Sequence, residues 1–431
     1  MPINLRRAWA APACGLAVVL TLAGCSQSDS SGSDAGGGSG SGSEAASFFN
    51  VDDCTDPDAA TAKIDGGIKI GYTLPLSGPV AGPVQINQYG FDARIQAFND
   101  AGGLDGQKIE VVKKDDAFAP DKAKANVVDL IQNDDVDALV TFGSGQVGAI
   151  ADDQNAACVP LLYPSATNPE YFDIESYPWT VQFLPAADRE TRYVVQQMTA
   201  AMGGTDFTVG IAANETASGQ TNAENFTKAA EDAGIEIAAT VPDTDPTAAA
   251  TQLKAANVDV VYHSGLSGTC AGLNVSMDRI GFKPELVMLP SSCALSAEFV
   301  AAGAPAEGAT LPLYMKEPDQ PGADSDEGVQ EYLDQMGDVE SISDPVTTAG
   351  WVQADLLIAT IQQAAESEEG LTRASMLTAA RSLDYSSPMF LDGVSWKSTP
   401  EKLTGVSGFQ AGVWSAADQT FVPSGETIQV D

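Results

Sequence analysis

Ile68-Lys69-Ile70-Gly71-Tyr72, followed by a helical stretch ending at Ala101-Gly102-Gly103, has a counterpart in Phe207-Thr208-Val209-Gly210-Ile211 and the stretch ending at Asp232-Ala233-Gly234. After the first come a strand from Lys108 to Lys113, a helix opened by Pro120 and Asp121, and the run Val136-Asp137-Ala138-Leu139-Val140. After the second come Ile235 to Thr240, a helix opened by Asp245 and Pro246, and Val258-Asp259-Val260-Val261. Short β-branched runs alternating with amphipathic stretches are the pattern of a parallel sheet covered on both faces. The same order used twice predicts an α/β protein of two similar lobes. The punctuation agrees: Gly102 and Gly234 suit the left-handed position that ends a helix, and Pro120 and Pro246 suit a first turn where no N–H is needed.

Outward toward the amino terminus, Arg6 and Arg7 precede an apolar run from Leu16 to Leu22 that is too short to span a membrane, which reads as a secretory signal over residues 1–24. Leu22-Ala23-Gly24-Cys25 resembles the lipobox of bacterial lipoproteins, so Cys25 is the expected lipid anchor. Residues 25–47 are almost entirely Ser, Gly, Ala and acid and are expected to form a flexible tether. The chain carries a formal net charge of −38, and removing residues 1–24, with two arginines and no acid, makes it two units more negative. Such a balance excludes a nucleic-acid binder and leaves membrane attachment to the lipid rather than to a basic face. Of six cysteines, Cys54, Cys158, Cys270 and Cys293 remain for disulfides, and four cysteines allow three pairings.

In an open parallel sheet, ligands bind beyond the carboxyl ends of the strands. The residues there are small and rich in hydroxyls: Leu76-Ser77-Gly78, Gly143-Ser144-Gly145 and Ser165-Ala166-Thr167 in one copy; Asn214 to Gly219, His263 to Ser267 and Ser291-Ser292 in the other. Helix-opening residues of this type offer unpaired backbone N–H groups to an anion. Each serine taken alone is better explained as a helix cap, and it is the set facing one cleft from two lobes that points to a ligand. Gly143-Ser144-Gly145-Gln146-Val147-Gly148 fits a dinucleotide fingerprint, but it lies on the wrong βα unit and lacks the acid that should follow. His263 is the single histidine, no G-x-S-x-G elbow or metal-ligand spacing is present, and clusters such as Asp115-Asp116 read as turns and solvated faces. The reading is a binding protein rather than an enzyme, with no cofactor and no metal.

Three stretches carry a family likeness: Ile70 to Pro79, Phe98 to Gly106, and Pro164-Ser165-Ala166-Thr167-Asn168-Pro169. With them the body after Ile68 resembles the branched-chain amino acid binding proteins of ABC importers, which have the type I periplasmic-binding fold. The resemblance implies a two-lobed clamp of mostly parallel sheets flanked by helices, with the ligand cleft between the lobes. Lobe one would comprise residues 66–185 and 315–392, lobe two 186–314 and 393–431, with crossings near Leu184 to Ala187, Leu311 to Lys316 and Leu391 to Val394. Helices from Asp324 to Ser367 would return to lobe one, and strands around Trp396 to Trp414 to lobe two.

The resemblance also implies a carboxylate held by Ser144 and Thr167, with Ser165 and Ala166 beside the latter; the strand-end reading adds Ser77 and Gly145 on that side and Ser218, His263, Leu266, Ser291 and Ser292 opposite. Where amino-acid binders place an acid for the ligand ammonium, this chain has Ser291 and Ser292; where they place closing aromatics, it has Pro83, Ser218 and Leu266. A buried ammonium without an anionic partner is costly, so a carboxylic acid or amide fits unless Asn214, Glu215 or His263 supplies the contact. The implied topology favours Cys270–Cys293 across neighbouring cleft loops and Cys54–Cys158 at the opposite edge. The implied function is capture of a small ligand by an extracytoplasmic, lipid-anchored monomer that delivers it to a membrane permease. A ligand-sensing partner of a membrane receptor is the alternative and an exported enzyme a more distant one.

Overall fold

The computed structural model describes residues 48–430 apart from 321 and 340; the signal, Cys25 and the tether fall outside them. Five parallel strands form the first sheet: β1 Ile68–Leu74, β2 Ile109–Asp115, β3 Ala138–Thr141, β4 Leu161–Leu162 and β5 Thr180–Val181, in the order β2-β1-β3-β4-β5. The next five strands are β6 Thr208–Ala213, β7 Glu236–Pro242, β8 Val260–His263, β9 Leu286–Met288 and β10 Thr310–Leu313, in the order β7-β6-β8-β9-β10. The two orders are the same, which is the repetition expected from the sequence. Each reverses direction beside its first strand, and that switch point is where an open sheet leaves a crevice at its carboxyl edge.

Burial follows the strand types. β1, β3 and β8 are buried along nearly their whole length, as central strands covered on both faces must be, whereas the edge strand β7 is largely exposed on alternate residues. The Pro345–Ala365 helix runs against Ala81–Asp100 so closely that a Cβ on Gly90 would sit 1.9 Å from the Thr347 carbonyl oxygen, and one on Gly350 would sit 1.9 Å from that of Asn87. Both glycines are therefore fixed by backbone contact, and the Pro345–Ala365 helix is bound to the first lobe through them.

The last strands depart from expectation. The run from Trp396 to Trp414 does not enter one sheet. β12 Trp396–Thr399 pairs on one side with β11 Asp384–Tyr385 and on the other with β13 Lys402–Val406, in a separate antiparallel sheet. Only β14 Gly408–Ser415 and β15 Thr420–Gln429 extend the second lobe's sheet, β14 antiparallel to β10 and β15 antiparallel to β14. The small sheet touches both lobes: Trp396 meets Tyr163 of the first lobe edge-on at 5.2 Å, and Arg189 of the second-lobe helix Ala187–Met202 donates to the Leu403 carbonyl at 3.0 Å.

Disulfides join Cys54 to Cys158, Cα atoms 5.5 Å apart, and Cys270 to Cys293, 5.7 Å apart. The first ties the amino-terminal segment to the far end of the Ser144–Ala157 helix, and the second links the loops after β8 and β9.

Candidate ligand-binding cleft

The first wall of the cleft is built where β3 and β4 end. Gly143 has φ 111°, a left-handed backbone that glycine adopts at little cost, and a Cβ there would stand 2.8 Å from the Phe118 ring. The turn delivers Ser144 to the start of the Ser144–Ala157 helix, where N–H groups lack intrahelical partners. Ser144 Oγ accepts from Thr167 N–H at 3.2 Å and lies 3.5 Å from Thr167 Oγ1. Ser165 is fixed from behind by Gln353, whose Nε2 donates to its hydroxyl at 3.4 Å and to the Tyr163 carbonyl at 2.6 Å.

The second wall follows β6, β8 and β9. Thr216 caps the Ala217–Asp232 helix and sets Ser218 facing the other lobe, where its Oγ accepts from Ser144 N–H at 3.4 Å. Ser267 N–H and Oγ both donate to the Ser292 carbonyl, at 2.8 and 2.7 Å, and Ser292 Oγ donates to Gly265 O at 3.2 Å. Glu298 accepts from Gly268 and Ala271 N–H at 2.9 and 3.0 Å, and burial pushes its carboxyl up to about 7. Ser291 donates its N–H and its hydroxyl to Glu190, at 2.5 and 3.1 Å. Glu190 is 1 % exposed, and burial raises its carboxyl to about 7 against the two hydrogen bonds that lower it.

Between the walls lies a cleft of about 830 Å³ counting its open mouth. Ser165, Thr167, Ser218, Leu266, Ser291 and Ser292 line it, all residues singled out in the sequence. Aromatic surface comes from Phe118, Phe142, Phe183 and Tyr314, which the sequence reading missed, and aliphatic surface from Val80, Leu184, Met315 and Val346. Among the described lining residues none carries a charge.

Other anticipated residues lie elsewhere. Ser144 is buried and joins the walls through Thr167 and Ser218, and Gly145 follows it in the same first turn, where a Cβ would lie 3.6 Å from that of Ala217. Ala166 is wholly buried in the core with Val147 and Leu161. Ser77 is exposed and donates to Asp115 at 2.6 Å. His263 is buried, with Nε2 2.9 Å from an Asp243 oxygen that also accepts from Asn214 at 3.0 Å. Glu215 is exposed. None of Asn214, Glu215 and His263 borders the cleft.

Asp116 corrects the reading of Asp115-Asp116 as a solvated turn. It is fully buried, accepts from Thr73 Oγ1 at 3.1 Å and Phe118 N–H at 2.8 Å, and burial pushes its carboxyl up to about 6. Ala117 and Phe118 have φ of 50° and 61°, an uncommon pair for residues with side chains. The two aspartates hold this strained turn and so present Phe118 to the cleft.

A sequence profile of the periplasmic binding protein family matches residues 67–412. The leucine-, isoleucine-, valine-, threonine- and alanine-binding protein of Pseudomonas aeruginosa is 30% identical over 257 residues, which are 58% of this chain and 68% of that protein. A Leu/Ile/Val-binding protein homolog of Brucella melitensis is 26% identical over 272 residues, 62% of this chain and 71% of its own. Among solved structures, a branched-chain amino acid ABC transporter protein of Thermus thermophilus with bound valine superposes with a TM-score of 0.76 at 16% identity, covering 84% of this chain and 97% of that one. A solute-binding protein of R. palustris in complex with benzoate superposes with a TM-score of 0.69 at 20% identity, covering 85% and 96%. With the repeated sheets and the cleft between them, these matches place the chain in the periplasmic binding protein family, as a solute-binding protein of type I two-lobed fold.

Proposed function

We propose that this protein is the capture component of an ABC importer, held outside the cytoplasmic membrane by lipid on Cys25, and that its ligand is a small carboxylate, amide or amino-acid-like molecule with an apolar or aromatic body. One observation carries the reading: a cleft with no charge among its described lining residues combines hydroxyls from both walls, the helix cap Gly143 beside Ser165 and Thr167 on the first, and the aromatic surface of Phe118, Phe142, Phe183 and Tyr314. The helix start and the hydroxyl of Thr167 suit a carboxylate, and Phe118, Phe142, Phe183 and Tyr314 suit the body. The relatives bracket this chemistry, one named for branched-chain and small amino acids and one structural neighbour holding benzoate. Ligand bridging both walls favours the closed form by its differential affinity for that form, and the closed form docks on the permease.

Thermal unfolding against branched-chain and aromatic amino acids, the corresponding carboxylic acids and their amides tests the reading. A true ligand at about one hundred times its dissociation constant stabilises the fold by about 2.7 kcal/mol. Thr167→Val removes a hydroxyl from the carboxylate end and is expected to weaken binding by roughly tenfold or more, the loss of one hydrogen bond to a charged group. Silence across the panel, or full affinity in the Thr167→Val protein, contradicts the proposal. Loss of uptake on deletion of the gene tests delivery to a permease.

A further inference from the structure

Glu190 lies on the Ala187–Met202 helix, and both its oxygens meet one residue that faces the cleft, Ser291. Among the described residues, Tyr262 on β8 and Tyr314 just past β10 are titratable groups that its charge acts on. The neighbouring Arg189 is directed to the carbonyls of Leu403 and Thr404. Among the described residues, the groups acting on Glu190 include no cation.

A serine hydroxyl has one proton and two lone pairs. When that proton goes to Glu190, the side of Ser291 Oγ turned toward the cleft holds lone pairs only. An ionised carboxylate can only accept, so it fixes this polarity; a protonated one can donate to Ser291 Oγ and release the serine proton toward the cleft. The backbone N–H of Ser291 is held by the other carboxylate oxygen in either state, so the loop stays in place while the hydroxyl changes role.

We propose that Glu190 is a positioning residue that makes Ser291 a hydrogen-bond acceptor and thereby selects ligands bearing an N–H donor, an ammonium or an amide, at the end away from Thr167. This rests on the reading of the cleft as a carboxylate site given above and narrows it. The negative charge absent from the loop after β9 is then supplied from a helix behind that loop. A cationic donor at Ser291 also favours the ionised form of Glu190, whose carboxyl burial holds near neutrality, so binding of such a ligand releases a proton.

The test is calorimetric titration of the purified protein with pairs matched in shape: leucine against 4-methylpentanoate, and phenylalanine against 3-phenylpropanoate. Wild type is expected to prefer the amino acid at least tenfold, with the preference growing from pH 6 to pH 8, a window in which neither ligand of a pair changes charge. In Glu190→Gln the new amide can donate to Ser291 Oγ, and the preference is expected to fall at least tenfold and lose its pH dependence, while 3-phenylpropanoate affinity stays within about twofold. Ser291→Ala, which leaves the carboxyl in place, is expected to lose the preference too. A merely structural role would weaken both members of a pair together. An unchanged ratio in both variants, a pH-independent ratio in wild type, or a wild-type preference for the acids overturns the inference while leaving the carboxylate site standing. No binding of any of the four overturns both.

Discussion

The two walls of the cleft face one another with opposite chemistry, although they grow from sheets of the same strand order. The first wall offers donors. Ser144 opens a helix, Thr167 and Ser165 present hydroxyls, and Gln353 braces Ser165 from behind. The second wall places carboxyls behind its loops: Glu190 under Ser291 and Glu298 under Gly268 and Ala271. A repeated fold supplies matching backbone scaffolds, and what differentiates them is which side chains lie one layer beneath the lining. The first wall is suited to a fixed negative group, whereas the second has ionisable groups whose state depends on what they meet.

Removing the two disulfides separately gives the largest expected contrast between the walls. Cys54–Cys158 closes a separation of 104 residues and Cys270–Cys293 one of 23. Chain-entropy reasoning predicts a loss of about 4.7 kcal/mol for the first and about 3.4 kcal/mol for the second when each pair is replaced by alanine. Binding should rank the other way. The first bridge is remote from the cleft, so ligand affinity should hold within about twofold. The second ties the loops that carry Leu266 and Ser292, so affinity should fall at least fivefold. Urea unfolding and calorimetry check both, and equal binding losses would show that the second wall does not need its covalent tie.

Acidity gives the next contrast. Burial pushes Glu317 up to about 8, with hydrogen bonds from Thr420 and Phe421 opposing, and it pushes Glu190 and Glu298 up to about 7. An unfolded glutamate titrates near about 4.3. Between that value and the raised native ones, the folded protein keeps protons that the unfolded chain has lost. The associated stability is fully present below about pH 4.3 and falls as pH rises toward 8, by at most about 1.4 kcal/mol per pH unit for each proton. Asp116 is the first lobe's smaller counterpart, at about 6. Unfolding free energies measured from pH 5 to pH 8 should therefore decline, and Glu317→Gln should flatten the slope more than Asp116→Asn. A slope that rises with pH, or is steeper in Glu317→Gln, contradicts this account.

What the sequence disclosed follows the same division. Strand-end serines and threonines were legible because β-branched runs mark where each strand stops, and the repeated order marked the two lobes. The aromatic surface was not, since Phe118 reaches the cleft through two consecutive left-handed residues that no periodicity announces. Glu190 lies among Asp188, Arg189 and Arg192 and was not singled out. Its signal was positional: Ala187, Glu190, Thr191, Val194, Val195 and Met198 are spaced as one buried helical stripe, and an acid within such a stripe asks for a partner. The separate sheet β11-β12-β13 escaped notice because β11 is only two residues long and its strands carry the same β-branched and aromatic content as those of the lobes.

The smallest expected effect bears on Ser77, which its place after the first strand set beside the ligand and which is exposed in the structure. Its hydroxyl donates to Asp115 at 2.6 Å, and its N–H and that of Leu76 donate to the other oxygen of the same carboxylate, at 3.1 and 2.9 Å. The Ser77 hydroxyl is the leading cause that holds the Asp115 carboxyl below the usual range. Ser77→Ala leaves the backbone donors in place, so the turn that carries Phe118 keeps most of its support. Stability should change by less than about 1 kcal/mol, the usual net worth of one hydrogen bond at an exposed site, ligand affinity should hold within about twofold, and the Asp115 titration followed by NMR should move upward. A tenfold loss of affinity with Asp115 unmoved would instead mean that Ser77 turns from solvent to the ligand when the walls close, and the first wall would then extend to the end of β1.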